Sequence, residues 1–300
     1  MAEERDEPAP PAKLPPLTTW GFALFYFGSA YWTAWNFAMA VFFGAAGCPV
    51  KMYKRTCDLL DVKFRKRNDC PALDLANVNP RFFLCNHRGW GDFTIDGRLT
   101  GGASYLSRSL VLVALPVQCG LMWILHGIIF FKRTRPVNLE HLGNLLCDSM
   151  ANSETGKCII FPEGTRNTEP KGKPLKRGTL SIAYSRKIPC QVLISTNKEF
   201  VVNEAQMKAR QGVTVTFATS GVIDPSKYET EAKFFEEIDQ EWAKTWQLAY
   251  DEAAPSKEYH PDIIPVRGPS TERLNVFRAA AAASAAVVAA AAICFSKWQS

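Results

Sequence analysis

An α/β domain with a mixed sheet flanked by helices is the fold class this sequence predicts, with a membrane anchor before it and a candidate membrane helix after it. Two observations predict it. Between about Cys48 and Ile264 short β-rich runs alternate with longer helical patterns, and the long stretches without charge collect at the two ends of the chain.

Residues 1–19 hold five prolines and a cluster of acids with no apolar periodicity, which reads as a disordered tail. From Trp20 to Gly47 no residue is charged. As a helix this run is about 42 Å long, enough to cross a hydrocarbon core of roughly 30 Å, so residues 20–47 are expected to anchor the chain in a membrane. An in-plane or re-entrant helical pair is the alternative, since the Trp, Tyr and Phe content suits an interface as well. A cleaved signal peptide fits poorly, because the leading segment is acidic and the run too long. Another apolar run, Leu110 to Phe131, is interrupted by Pro116, Gln118, Gly120 and His126 and is assigned to the domain, with His126 as a satisfied core residue.

Within the domain, taken as 48–264, strands are expected at Arg81–Cys85, Ala103–Ser107, Ile128–Phe131, Lys157–Phe161, Gln191–Thr196 and Val213–Ala218. Leu139, Leu142, Leu145, Leu146 and Met150 share one helical face, and Phe235, Ile238, Trp242 and Trp246 share another. No internal repeat is visible. A linker over 265–278 leads to residues 279–295, mostly alanine, which form either a transmembrane or an amphipathic helix.

Charge sets orientation and partners. Lys51, Lys54, Arg55, Lys63, Arg65, Lys66 and Arg67 follow the first apolar run closely, against Arg5 and Lys13 before it, so the domain is expected in the cytosol with this basic stretch near anionic headgroups. The net charge of +6 therefore reads as a membrane-surface property, and no nucleic-acid motif accompanies it. Nine cysteines without a C-x-x-C pair fit reduced thiols and give no zinc pattern.

The chemistry lies in two runs. In His87-Arg88-Gly89-Trp90-Gly91-Asp92 the ends are five residues apart, a spacing that would not face them on one helix, so the loop must fold back, with Gly89 and Gly91 supplying the freedom. Asp92 then fixes one imidazole nitrogen of His87 and leaves the other as a base. Alone, the hexapeptide also reads as a glycine-rich turn with an ordinary surface hydrogen bond. The second run is Phe161-Pro162-Glu163-Gly164-Thr165-Arg166, in which Arg166 presents a planar fork to phosphate and Gly164 lets backbone N–H groups approach the same anion. Glu163 holds Arg166 or a substrate hydroxyl, or the run is a strand-end turn with an exposed ion pair. Arg133, after Ile128–Phe131, adds a further cation, and Lys171, Lys173, Lys176 and Arg177 either reach CoA phosphates or form a solvated basic face.

These runs, in this order, resemble the family of 1-acyl-glycerol-3-phosphate acyltransferases: the first matches its N-H-x-x-x-x-D block, Gly127 to Arg133 its G-x-x-F-x-x-R block, and the third its F-P-E-G-T-R block. The likeness covers about Phe82 to Thr196, with a weaker fourth block from Lys176-x-Gly178 to Ile188-Pro189. It implies acyl transfer from acyl-CoA, a co-substrate, to the free sn-2 hydroxyl of lysophosphatidate, giving phosphatidate at the endoplasmic reticulum membrane among its phospholipids. No cofactor and no metal are required. His87 and Asp92 are then the catalytic pair; Arg133, Glu163, Gly164, Thr165 and Arg166 hold the acceptor phosphate; Lys176 contacts CoA or the headgroup. Gly89 stands where the family often has Ser, and Gln191 and Val192 where a second proline is usual. Remodelling of another lysophospholipid, acyl hydrolysis and a non-catalytic lipid-binding role are the competing readings; no G-x-S-x-G elbow favours the hydrolase.

Overall fold

Strands and helices follow one another much as the apolar patterns predict. The structure is a computed structural model, and it describes residues 14–45, 47–76, 79–131, 138–169, 171–261, 267, 273–276, 278, 279 and 282. A short strand β1 (Leu17–Thr18) leads into α1 (Thr19–Ala23), a π-turn (Leu24–Gly28) and α2 (Ser29–Phe43). Then come α3 (Cys48–Leu59), β2 (Lys63–Arg67), β3 (Arg81–Cys85), α4 (Gly91–Leu99) and β4 (Ser104–Arg108). The interrupted apolar run folds inside the domain as α5 (Val111–Ala114), α6 (Pro116–Ile124) and β5 (Ile128–Phe131). It is followed by α7 (Leu139–Asn152), β6 (Lys157–Ile160), α8 (Arg177–Ser185) and β7 (Cys190–Ser195). The remaining elements are β8 (Val202–Asn203), β9 (Lys208–Arg210), β10 (Thr214–Ile223), α9 (Glu231–Tyr250) and β11 (Ser256–Glu258).

One eight-stranded sheet runs β11-β2-β10-β7-β3-β6-β4-β5. It is mixed: β7, β3, β6, β4 and β5 are mutually parallel, β10 turns antiparallel beside β7, and β2 lies parallel to β10. Side chains alternate between its faces, as the pleat requires. Phe83, Cys85, Ile159 and Leu193 meet Tyr53 of α3, Ile95 and Leu99 of α4 and Phe22 and Phe25 of the N-terminal helical run. Phe82, Leu84, Cys158, Ile160, Val192 and Ile194 meet α7, α8 and α9 on the other side. Central strands covered on both faces read as uninterrupted apolar runs, which is why they were visible in the sequence. On α9 the buried face is Phe234, Ile238, Trp242 and Trp246; Phe235, expected on it, lies at its margin under the Arg177 guanidinium.

Several expectations need revision. Part of the segment read as a disordered tail is ordered, since Leu17 and Thr18 pair with Arg210 and Ala209. No helix among the described residues is long and apolar enough to cross a membrane. The run 20–47 packs one side on α3 and α6, with Ser29, Thr33 and Asn36 turned inward and Gln118 donating to the Ser29 hydroxyl at 2.8 Å. Its other side exposes Trp20, Phe27, Tyr31, Trp35, Phe42 and Phe43. Part of the basic stretch expected at headgroups is structural instead: Arg67 is buried and donates to the Ala249 carbonyl at 3.1 Å, and Arg65 donates to Ser256 at 3.0 Å. In the expected linker 265–278 the described residues are 267, 273–276 and 278, and 273–276 and 278 are helical; of the candidate helix 279–295 only 279 and 282 are described, and Arg133 lies outside the described residues.

His126 is buried, as expected, yet its Nδ1 has no hydrogen-bond partner among the described residues. Burial, helped by the Arg273 charge, lowers its pKa from 6.5 to about 4. A histidine whose folded-state pKa lies below its unfolded value favours the native state above that unfolded value, and the advantage is lost as pH falls. Its backbone φ of +57° is one that Asn tolerates. In urea unfolding between pH 7 and pH 4, His126→Asn should therefore lose stability less steeply than the wild type; parallel slopes would mean that His126 is solvated.

Candidate active site

Loops after three adjacent parallel strands converge at the carboxyl edge of the sheet, where open α/β folds bind their ligands. The first follows β3. Asn86 ties it to the end of β7 by two bonds, its amide donating to the Ser195 carbonyl at 2.9 Å and its Oδ1 accepting from Ser195 N at 3.0 Å. His87 comes next, and Asp92 sits in the first turn of α4, where the helix dipole favours an anion.

The predicted fold-back is present. His87 Nδ1 lies 2.6 Å from Asp92 Oδ2, which also accepts from Arg88 N at 2.6 Å and Gly89 N at 3.1 Å. With Nδ1 engaged, Nε2 is the nitrogen left for proton transfer. The imidazole stacks on Phe161 at 4.3 Å, and its side chain is 22% exposed whereas that of Asp92 is 0%. The glycines act otherwise than expected, because neither adopts a left-handed φ. Gly91 is required by close approach: a Cβ there would stand 2.7 Å from the Lys198 carbonyl.

Behind the pair lies a group that the sequence did not suggest. Lys198, just past β7, is fully buried; its Nζ lies 2.7 Å from Asp96 Oδ2 and 3.6 Å from Asp92 Oδ1 and donates to the Asn86 carbonyl at 2.5 Å. Burial opposes the carboxylate of Asp92, but the Lys198 charge, with His87 and the Arg88 N–H, outweighs it and holds Asp92 below the usual carboxylate range. Asp96, one helical turn on, is pushed up by burial to about 7. Burial also works against the ammonium, and the two carboxylates reverse that, raising Lys198 above its ordinary value.

The second loop, after β6, is the Phe161–Arg166 run. Gly164 takes φ +67°, and a Cβ on it would meet the Lys176 side chain at 2.7 Å, so Lys176 lies directly across the turn. Glu163, expected on the phosphate, faces inward: it is buried, and its Oε1 accepts from Asn167 Nδ2 at 2.7 Å and Lys173 N at 2.8 Å. A carboxylate spent on its own loop is part of the frame. Thr165 and Arg166 are exposed, and Arg166 Nη1 pairs with Glu204 Oε1. The two runs are joined directly, Asn167 N donating to the His87 carbonyl at 2.7 Å. Arg88 fastens them further, its guanidinium donating to the carbonyls of Asn167, Thr168 and Glu169 and to Glu199.

A buried carboxylate holding a partly exposed imidazole, beside a glycine turn that bears cations, is an arrangement able to take up a proton next to an anion. Comparison with known proteins agrees with that class. Residues 62–194 match the family model described as Acyltransferase. A stretch of 74 residues is 32% identical to a Caenorhabditis elegans protein provisionally named 1-acyl-sn-glycerol-3-phosphate acyltransferase acl-1; it covers 25% of this chain and 28% of that one. The crystal structure of the 1-acyl-sn-glycerophosphate acyltransferase PlsC from Thermotoga maritima shares the fold, with a TM-score of 0.57 at 16% identity over 80% of this chain and 96% of that one.

Removing one member of a buried ion cluster leaves uncompensated charge, at a cost of about 3–5 kcal/mol. Lys198→Met should lose stability on this scale at pH 7.5, and less at pH 5, because Asp92 and Asp96 escape the penalty by taking up protons once the lysine is gone. Urea unfolding at the two pH values measures the difference. A deficit independent of pH would reduce Lys198 to packing.

Proposed function

We propose that this chain is a 1-acyl-glycerol-3-phosphate O-acyltransferase, moving an acyl group from acyl-CoA to the free sn-2 hydroxyl of lysophosphatidate to form phosphatidate. The observation that carries the reading is the His87–Asp92 pair, with Nδ1 held at 2.6 Å, on a loop hydrogen-bonded to the one that bears Arg166. His87 Nε2 takes the hydroxyl proton as the oxygen attacks the thioester carbonyl carbon. The C–S bond then breaks, and the CoA sulfur leaves with that proton. The thioester is already activated, so no acyl-enzyme is needed. General-base catalysis of this kind contributes about 10²–10⁴ in rate. Asp92 fixes the tautomer and stabilises the imidazolium. Arg166 and the Gly164 turn bind the acceptor phosphate, Arg133 adds a second cation, and Lys176 contacts CoA or the headgroup.

The same reading extends to location. Trp20, Phe27, Tyr31, Trp35, Phe42 and Phe43 on the N-terminal helical run, with Leu110 and Val113 of the α5 region, are exposed apolar groups. Aromatic residues of this kind suit the headgroup level of a bilayer, so the run lies in the membrane plane, on the cytosolic side of the endoplasmic reticulum.

Purified protein with one labelled acyl-CoA and a panel of lysolipids and glycerol 3-phosphate tests the assignment. Lysophosphatidate should be acylated, and His87→Ala should lose nearly all turnover while still folding. Arg166→Ala should raise the KM for lysophosphatidate about tenfold or more, the scale of a lost charge-assisted contact, with less effect on acyl-CoA. Fatty-acid release without acceptor dependence, or a near-normal kcat in His87→Ala, would overturn it.

A further inference from the structure

Arg166 is already occupied. Its partner Glu204 lies in the turn between β8 and β9, outside every motif the sequence analysis singled out, and its side chain is 22% exposed. Glu204 Oε1 pairs with the guanidinium, and Oε2 lies 3.7 Å from the point where a Cβ on Gly89 would stand. One carboxylate thus reaches from the arginine of the second loop to the loop that carries His87. The acceptor must span the same gap, with its phosphate at Arg166 and its hydroxyl at the base.

We propose that Glu204 is an internal competitor of the acceptor: it stands in for the acceptor phosphate on Arg166 and must be displaced before that phosphate can bind there. The proposal rests on the acyl-transfer reading above and adds a group that competes with the acceptor. A phosphomonoester carries a charge of about −1.5 to −2 at neutral pH, with three oxygens for the guanidinium fork. A carboxylate carries one charge and two oxygens, so the monoester displaces it. Every anion that needs Arg166 meets the same competitor and loses affinity by the same factor. Around the pair, Lys173 Nζ donates to the Arg166 carbonyl at 3.2 Å and Lys176 lies over Gly164, so cations are ready to hold the incoming phosphate once Glu204 has swung away. Displacement is feasible because the Arg166 side chain is 46% exposed, and ion pairs of that kind are weak.

Steady-state kinetics on Glu204→Gln with lysophosphatidate and with lysophosphatidylglycerol, a monoester and a diester, read the effect. The KM for each acceptor should fall by about two- to fivefold, the range to which an exposed ion pair converts, and by about the same factor for both, because each needs Arg166 freed. In the Arg166→Ala background Glu204→Gln should change neither KM further. Calorimetric binding of glycerol 3-phosphate, which involves no acyl transfer, should likewise tighten in Glu204→Gln and stay put when Arg166 is absent. An unchanged or raised KM in Glu204→Gln, or additivity with Arg166→Ala, would overturn the proposal. Wild-type protein that transfers to neither acceptor would instead remove the acyl-transfer reading, while the calorimetry would still decide whether Glu204 competes for Arg166.

Discussion

A lysine without solvent contact, set between two carboxylates at the head of α4, is the constraint on which the rest of the site depends. Lys198 is the counter-charge that lets Asp92 stay ionised at full burial, and an ionised Asp92 is what fixes the orientation and tautomer of His87. The lysine could not be held there without the sheet. It follows β7, the neighbour of β3, and its Nζ donates to the backbone of Asn86, the residue that ties the two strand ends together. Sheet register and site electrostatics are therefore one arrangement, and a slip between β3 and β7 would separate the base from its charge support.

Arg88 performs the corresponding task on the outer side of the loop. Its guanidinium collects three consecutive carbonyls after the Phe161–Arg166 run, takes Glu199 as counter-ion and lies over the Tyr250 ring at 5.7 Å. With Lys198 and Glu199 adjacent in sequence, the segment after β7 presses one cation inward on Asp92 and one anion outward on Arg88. The backbone N–H groups of Arg88 and Gly89, in the loop before α4, complete the cradle of the buried carboxylate. Loop positions are thus set by side chains with rigid or fully enclosed geometry, a requirement for a proton-transfer site whose reacting groups must align closely.

What could be read in advance follows the same physics. The strands at Arg81–Cys85 and Ile128–Phe131 were legible to the residue, because short apolar runs bounded by turn residues have few alternatives. β2, with sequence KFRKR, was not, since its arginines make their contacts through guanidinium groups that a hydropathy pattern counts as surface. His87 and Asp92 were legible through local spacing and glycine content, and the structure brings them together. Lys198 had no local signature: its meaning arises from residues about 100 positions away, and a lone lysine next to a glutamate looks solvated. Asp96 carried a faint signal, one turn after Asp92 on the same helical face. Glu163 was misdirected because a motif gives residue types without side-chain direction, and burial decides that direction. The N-terminal run was legible only in part for a related reason, since only the fold shows that Ser29, Thr33 and Asn36 lie on one side and the aromatic residues on the other.

The pairing of β1 with β9 has a practical side. Leu17 and Thr18 complete a small three-stranded sheet with β8 and β9, Arg210 donates to the Pro15 carbonyl at 3.0 Å, and Gly21 approaches so closely that a Cβ would stand 2.5 Å from the Ala209 carbonyl. Phe22 and Phe25 belong to the core beneath. Trimming the greasy leading segment, the usual route to a detergent-free fragment for crystallisation or screening, would strip an edge strand from the hairpin that carries Glu204 and unroof one side of the sheet. Solubility here is better sought by recoding the outward aromatics than by cutting the chain.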